Sequence, residues 1–344
     1  MTTTVKNDMG LAALAVRWVI GWTYFSAFYR RVILADKLDP ETAGYIGEKF
    51  NHFLPNALGI QPMIQYMVEN PDVLWWAMVV FTIIEGIVGL FIILGLFTRL
   101  MSIGVFGLAM GILLGAGWIG TTCLDEWQIG VLGIATGFML FLTGSGRYSV
   151  DNYLMKRKAG VTQKKWFAWL GSGELPVHAK RYSRGVLLGS VVILGLTLYT
   201  NQVFHGGVWG TLHNKSVKPK LELTNAVIED KQLSFDLYRT EGVDVYGAWI
   251  IGISLTDTQG NNVAHFDQTH LAALLPEHIV NAYVAKVQPG AHSLIVPLGA
   301  KARMHLPLAG TDLPQGYYTL TVTDISGASW SLDIEYPKIS KTRR

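Results

Sequence analysis

Five stretches of this chain stay apolar for close to the roughly 20 residues that a helix needs to cross the hydrocarbon core of a bilayer. They cover residues 9–29, 73–97, 100–119, 127–143 and 185–204. Half of all residues are hydrophobic and only 15% are charged, and the hydrophobic ones are gathered into these runs instead of being dispersed as in a soluble domain. Out of reach of water, the backbone of each run must satisfy its own hydrogen bonds, which restricts it to helix. The expected fold is membrane α-helical: a four-helix transmembrane bundle over 1–146, a basic linker over 147–184 and a fifth anchoring helix over 185–204. Residues 1–8 hold one lysine and no small-residue cleavage site follows the first run, so that run reads as a retained helix and not as a removable signal.

Lysine and arginine accumulate on the cytoplasmic side of membrane proteins. Between Arg147 and Arg184 there are nine of them against two acids, Asp151 and Glu174, which places that segment inside. Counting outward, the chain enters from the inside, residues 30–72 form an outer loop, and the "TTCLDE" turn and everything after residue 204 lie outside. The net charge of +3 is then a topology signal, and nucleic acid is not an expected partner. Within the linker, "KKWFAWLGSGELP" sets Trp166, Phe167 and Trp169 beside lysines, as an amphipathic stretch on the inner leaflet would.

From residue 218 the unbroken runs give way to short alternating ones: "KLELTNAVI", "QLSFDLYR", "VDVYGAWIIGISLTDT", "HSLIVPL", "GYYTLTVTD" and "SWSLDIEY". A period of two, interrupted by turn residues, is the mark of half-buried antiparallel strands. Residues 205–344 are expected to form an exported all-β immunoglobulin-like sandwich with a helical insert near "LAALLPEHIVNAYVAKV".

Two charges fall inside apolar runs, Arg17 in the first and Glu85 in the second. An ionised group there costs about 2.5–3.5 kcal/mol on insertion scales and needs a partner. At about 1.5 Å per residue Arg17 lies about 12 Å from the inner end of its helix and Glu85 at a similar depth, so the two are expected to pair. Such a pair either fastens two helices together or makes Glu85 a proton donor and acceptor for redox chemistry inside the bundle. The many glycines of the second to fourth runs, such as Gly86, Gly89 and Gly133, signal close helix packing.

The one cysteine, Cys123, stands in the polar turn "WIGTTCLDEWQIG" between the third and fourth runs. On an oxidising outer face a lone thiol has three fates: a buried small hydrophobe, a disulfide that makes a homo-oligomer, or a reactive nucleophile. Reactivity requires the thiolate, which cations and a helix N-terminus favour. Arg30 and Arg31, in "FYRRVI", emerge at the same surface, and Asp125 and Glu126 are expected to hold those arginines or cap the fourth helix. Past the fifth run, "HGGVWGTLHNKSVKP" brings His213 and Lys215 to the same side as a positively charged lip for an anion. His205 and His213 are poor metal ligands, being eight residues apart with no carboxylate beside them.

The four helices with "GTTCLDEWQIG", followed by "GGVWGTLHNKSVKP" and a sandwich, resemble the two small subunits of thiosulfate:quinone oxidoreductase, the DoxD and DoxA types, fused in one chain. The resemblance is DoxD-like to about Gly160 and DoxA-like from about Lys180. It implies oxidation of two thiosulfates to tetrathionate in the lipid bilayer of the cytoplasmic membrane. The electron acceptor it implies is a membrane quinone of the ubiquinone, menaquinone or caldariellaquinone class. The residues suit that chemistry, with Cys123 and Glu85 as catalytic candidates, Arg30, Arg31, His213 and Lys215 as ligands of the thiosulfate anion, and Arg17, Asp125 and Glu126 as positioning residues. No glycine fingerprint or cysteine cluster for a flavin, haem or iron–sulfur centre is visible. Two other readings stay open: a DoxX-type scaffold that recruits an exported partner without catalysis, and quinone-linked oxidation of another reduced sulfur anion such as sulfite.

Overall fold

The computed structural model describes residues 9–42, 44–120, 125–243, 248–308 and 313–336. They fall into two compact units, one drawn from within 1–46 and 72–214, the other from within 47–71 and 215–344.

The first unit is helical. A single turn, Met9–Ala12, leads into α1 (Leu14–Tyr29), whose last residues open into a wider π-helical turn, Arg30–Leu34. The long helices of the unit are α4 (Pro71–Leu94), α5 (Thr98–Ala116), α6 (Asp125–Thr143) and α8 (Ala179–Phe204), with the short α7 (Val150–Lys156) between the last two. Among the described residues, α4, α5, α6 and α8 are the four helices long and apolar enough to cross a membrane. The run from residue 9, expected as one unbroken helix, is divided at Ala13. Large apolar side chains on the outer faces, such as Trp22 on α1, Ile83 on α4 and Leu187 on α8, are more than 40% exposed. That much bare hydrocarbon surface is tolerable in lipid and not in water, and this region is membrane-embedded.

Glycine sets how closely the helices approach. A Cβ at Gly89 of α4 would stand 2.4 Å from the Phe25 backbone nitrogen and 2.7 Å from the Gly21 oxygen of α1. Any side chain there would force the two helices apart, and their register would be lost. Gly130 and Gly137 of α6 meet Leu113 and Phe106 of α5 in the same way. The turn from α4 to α5 is fixed from outside: the Asp151 carboxylate, fully buried, accepts from the Phe97 and Thr98 backbone N–H groups and from the Thr98 hydroxyl. It supplies the N-cap that the sequence of α5 lacks.

Among its described residues the second unit contains ten strands in two antiparallel sheets. β1 (Lys220–Glu229), β2 (Gln232–Glu241), β8 (Lys301–Pro307) and β5 (Ile279–Asn281) form one in the order β1-β2-β8-β5. The other runs β10 (Ser329–Tyr336), β9 (Gly316–Asp324), β3 (Ala248–Asp257), β7 (Leu294–Val296) and β6 (Gln288–Pro289), with β4 (Asn262–Asp267) also on β3. Alternate residues turn inward, so Phe235 and Leu237 of β2, Met304 of β8, Leu255 of β3 and Leu320 of β9 share one core with no exposure. The β1–β2 hairpin turns on Asp230 and Lys231, both at positive φ, which matches the twist of the flanking strands. The expected helical insert is short: a helix at Gln268–Ala272 and one turn at Pro276–His278, after which the chain becomes β5.

Residues 47–71, which read in the sequence as a plain loop, belong to this second unit. They carry α2 (Glu48–Phe53) and α3 (Gln61–Glu69) and bury Leu54, Ile64 and Val68. Asn51, with no exposure, donates to the Gly299 carbonyl at 3.1 Å and accepts from the Ala285 N–H at 3.1 Å. Asn56 donates to the Thr240 carbonyl at 3.0 Å and accepts from the Lys215 ammonium at 3.0 Å. Gly299 is at φ +74°, and a Cβ there would lie 1.8 Å from the Asn51 oxygen, so the contact requires glycine on both counts. Asn51→Ala leaves a buried carbonyl and a buried N–H unpaired, and should destabilise this unit by about 2–4 kcal/mol. Chemical denaturation followed by strand circular dichroism measures the loss. Limited proteolysis should show faster cutting within 47–71 at the same time.

Candidate active site

Along α1 and into the π-helical turn, Gly21, Phe25, Phe28 and Arg31 recur at helical spacing and form the stripe that faces α4. The close approach at Gly21 and Gly89, and the Phe28 ring lying against Gly86, fix the antiparallel register of the two helices. Glu85 therefore falls level with Arg31. Nη1 of Arg31 is 2.5 Å from the Glu85 carboxylate and donates to the Thr82 hydroxyl at 2.9 Å. Both side chains are largely buried, 12% and 6% exposed, and the guanidinium lies 5.9 Å from the centre of the Phe81 ring. Phenylalanine takes part of the desolvated cation's charge on its π face.

This register corrects the pairing expected from the sequence. Arg17 does not meet Glu85, because it is fourteen residues before Arg31 on the same helix line, about 21 Å at 1.5 Å per residue. It lies instead level with Gly95, fully buried, and donates to the backbone carbonyls of Ser145 and, at 2.6 Å, Tyr148. Arg31 finds its carboxylate in Glu85 and not in the acids after the thiol turn. Arg30 stays exposed and folds its Nε onto the Ser26 carbonyl of its own helix at 3.3 Å.

Cys123 and its neighbours Thr121, Thr122 and Leu124 lie outside the described residues. Both edges of that turn are defined. Before it, the Gly117 carbonyl accepts from His205 Nε2 at 2.9 Å and the Gly120 carbonyl accepts from Asn214 at 2.9 Å. After it, Asp125 and Glu126 occupy the first turn of α6, where the helix dipole favours carboxylates, and Trp127 Nε1 donates to the Thr200 hydroxyl of α8 at 3.0 Å. The segment after α8 thus holds the start of the thiol-bearing turn, and α8 holds its end.

His205 is the residue here whose role the sequence concealed. It is 1% exposed. A carbonyl only accepts, so Nε2 carries the proton, and the buried Nδ1 has no hydrogen-bond partner among the described residues. Burial pushes its pKa below the ordinary histidine value, against the hydrogen bond to Gly117, and the ring is neutral. His213, whose backbone N–H donates to the His205 carbonyl at 2.8 Å, lies beside it. Lys215 begins the strand-rich unit and is tied to Asn56. Among the described residues, no three of His, Asp and Glu stand together as metal ligands.

The helical unit thus holds a buried carboxylate, Glu85, paired with Arg31, and hydrogen bonds that anchor the described residues on either side of the Cys123 segment. The pair can be tested by removing one partner. Arg31→Gln should cost about 3–5 kcal/mol because it strands a buried carboxylate, and Arg31→Gln combined with Glu85→Gln should recover most of it. Thermal unfolding of the two variants in detergent decides this; equal losses would mean that Arg31 acts through its packing alone.

Comparison with known families gives two matches, separated by the length of α8. Residues 13–178 match the family described as TQO small subunit DoxD. Residues 204–333 match TQO small subunit DoxA. The second match begins at the end of α8, so His205 and Asn214, which brace the thiol turn, come from the DoxA part and the carbonyls they hold come from the DoxD part. The chain belongs to the TQO small-subunit families, with DoxD and DoxA fused in one polypeptide.

Proposed function

We propose that this protein oxidises thiosulfate to tetrathionate at the outer face of the cytoplasmic membrane and passes the electrons to membrane quinone. The observation that carries this reading is the presence of both TQO small-subunit families in one chain. Glu85, buried beside Arg31 within the bundle, supports it, because reduction of a quinone in lipid needs protons delivered there.

In the proposed cycle, one thiosulfate and the Cys123 thiol are oxidised together. A bond forms between the cysteine sulfur and the outer sulfur of thiosulfate, two electrons go to the quinone, and the thiol proton plus one further proton complete the quinol. The protein then carries a thiol-linked S–SO3⁻ group. A second thiosulfate attacks the sulfane sulfur, tetrathionate leaves, and the cysteine departs as thiolate, to be reprotonated by one proton from solvent. The sum is two thiosulfates, one quinone and two protons giving one tetrathionate and one quinol. A low thiol pKa makes cysteine a good leaving group in the second step. Glu85 relays protons to the quinone, and Arg31 positions it. Arg30, whose fork is not committed to a carboxylate among the described residues, holds the sulfonate oxygens, with His213 as a further donor.

The decisive assay gives purified protein thiosulfate and a soluble quinone analogue and nothing else. Quinone reduction with one tetrathionate formed per quinol is the expected result. No turnover with any reduced sulfur anion would favour the scaffold reading, and turnover with sulfite alone would reassign the substrate. Cys123→Ser should abolish the reaction, and wild-type rates would reject the covalent route. Arg30→Ala should raise KM for thiosulfate about tenfold, the loss of one charge-assisted contact, while KM for the quinone stays unchanged. Glu85→Gln keeps an acceptor for Arg31 and should lower kcat for quinone reduction while the protein remains folded.

A further inference from the structure

A cavity of about 670 Å³ opens in the helical unit where three membrane-spanning helices end: α5 at Arg99, α6 at Leu142 and Thr143, and α8 at Ala179. It is at the far end of α6 from Asp125, about 27 Å along the axis at 1.5 Å per residue, and so is separate from the thiol-bearing turn. Its size is that of a site for a small organic molecule.

The walls are of two kinds. Arg147 and Lys156 line it as cations that pair with no carboxylate among the described residues, and Arg99 lies behind them, held by the Phe141, Ala168 and Gly173 carbonyls. Glu174 is the one acid on the wall. Asp151, the nearest buried acid, is occupied by the Thr98 and Ser172 hydroxyls and the start of α5. The rest of the wall joins an apolar part, with Leu142, Leu175 and Val177, to the uncharged polar groups of Thr143, Asn152 and Ser172. A surplus of positive charge next to hydrocarbon, at the depth where spanning helices end, suits a molecule that is anionic at one end and greasy at the other.

We propose that this cavity binds the phosphodiester headgroup of an anionic phospholipid. Arg147 and Lys156 contact the phosphate, and Leu142, Leu175 and Val177 cover the glycerol and the first carbons of the acyl chains. A free phosphate would use the cations and leave the apolar wall empty, and a zwitterionic lipid would bring its own cation against Arg147.

The test uses the full-length protein in detergent, titrated with dihexanoylphosphatidylglycerol, dihexanoylphosphatidylcholine or inorganic phosphate and followed by native mass spectrometry and calorimetry. Phosphatidylglycerol should bind with one site per chain and more tightly than phosphatidylcholine, and phosphate should not displace it. Arg147→Gln and Lys156→Gln should each weaken it about fivefold, the effect of one basic residue near a lipid phosphate. Glu174→Gln should tighten it by a similar factor, a gain that a misfolded protein cannot produce. Equal affinity for the two lipids, or unchanged binding in all three variants, would overturn the proposal. Phosphate binding as tightly as phosphatidylglycerol would replace the lipid with a free anion.

Discussion

A helix bundle surrounded by hydrocarbon has no water with which to solvate its charges, so each buried one must be answered by an atom of the chain. In this protein that constraint fixes the helical unit at two levels. Arg31 and Glu85 answer one another within α1 and α4, and at the other end Arg17, Arg99 and Asp151 are spread over backbone carbonyls, backbone N–H groups and hydroxyls. The two solutions differ chemically. Arginines bound to carbonyls keep their charge and exchange no protons, whereas a carboxylate held by one arginine can be protonated and released again. The proposed quinone chemistry is assigned to the Arg31–Glu85 level for that reason.

The spanning helices were legible because hydrocarbon demands length and apolarity, and both can be read residue by residue. The register between helices was not. Counting from the ends of the apolar runs placed Arg17 and Glu85 at one depth, yet an error of a few residues at each end displaces a partner by two turns. The information lay in Gly21 and Gly89, whose missing side chains let two backbones touch at one relative position only. Nothing in a single sequence says which glycine meets which. Strand β8, "KARMHLP", went unseen although it lies inside its sheet, because Lys, Ala and Met are poor strand formers and its inward residues are recognisable only beside β2. Residues 47–71 carry only one short amphipathic helix, with Ile64, Met67 and Val68 inward, and their partners, Thr240, Ala285 and Gly299, follow at least 184 residues later.

The candidate site was legible in its residue types and less so in their roles. Arg31 was expected on an anion and is found on Glu85. His205 reads in the sequence as a poor metal ligand in the segment after the fifth helix, and is found bonded to the stretch that leads to Cys123, with a proton location dictated by the Gly117 carbonyl. Short polar segments next to membrane helices carry no periodic signal, so roles of this kind emerge only when the distant carbonyl is in view.

The strand-rich unit is threaded by the chain in two separate pieces, 47–71 and 215–344, and so it is joined to the helices by three covalent crossings instead of one. Part of its interior is therefore encoded within the DoxD half, ahead of α4. If the polypeptide were severed between residues 178 and 204, where neither family match reaches, the DoxA fragment would still need the DoxD fragment's Asn51 and Asn56 to complete its own fold. Gene fusion is then a convenience for stoichiometry. Covalent linkage keeps that DoxD-encoded piece of the interior at a one-to-one ratio with the sheets it completes.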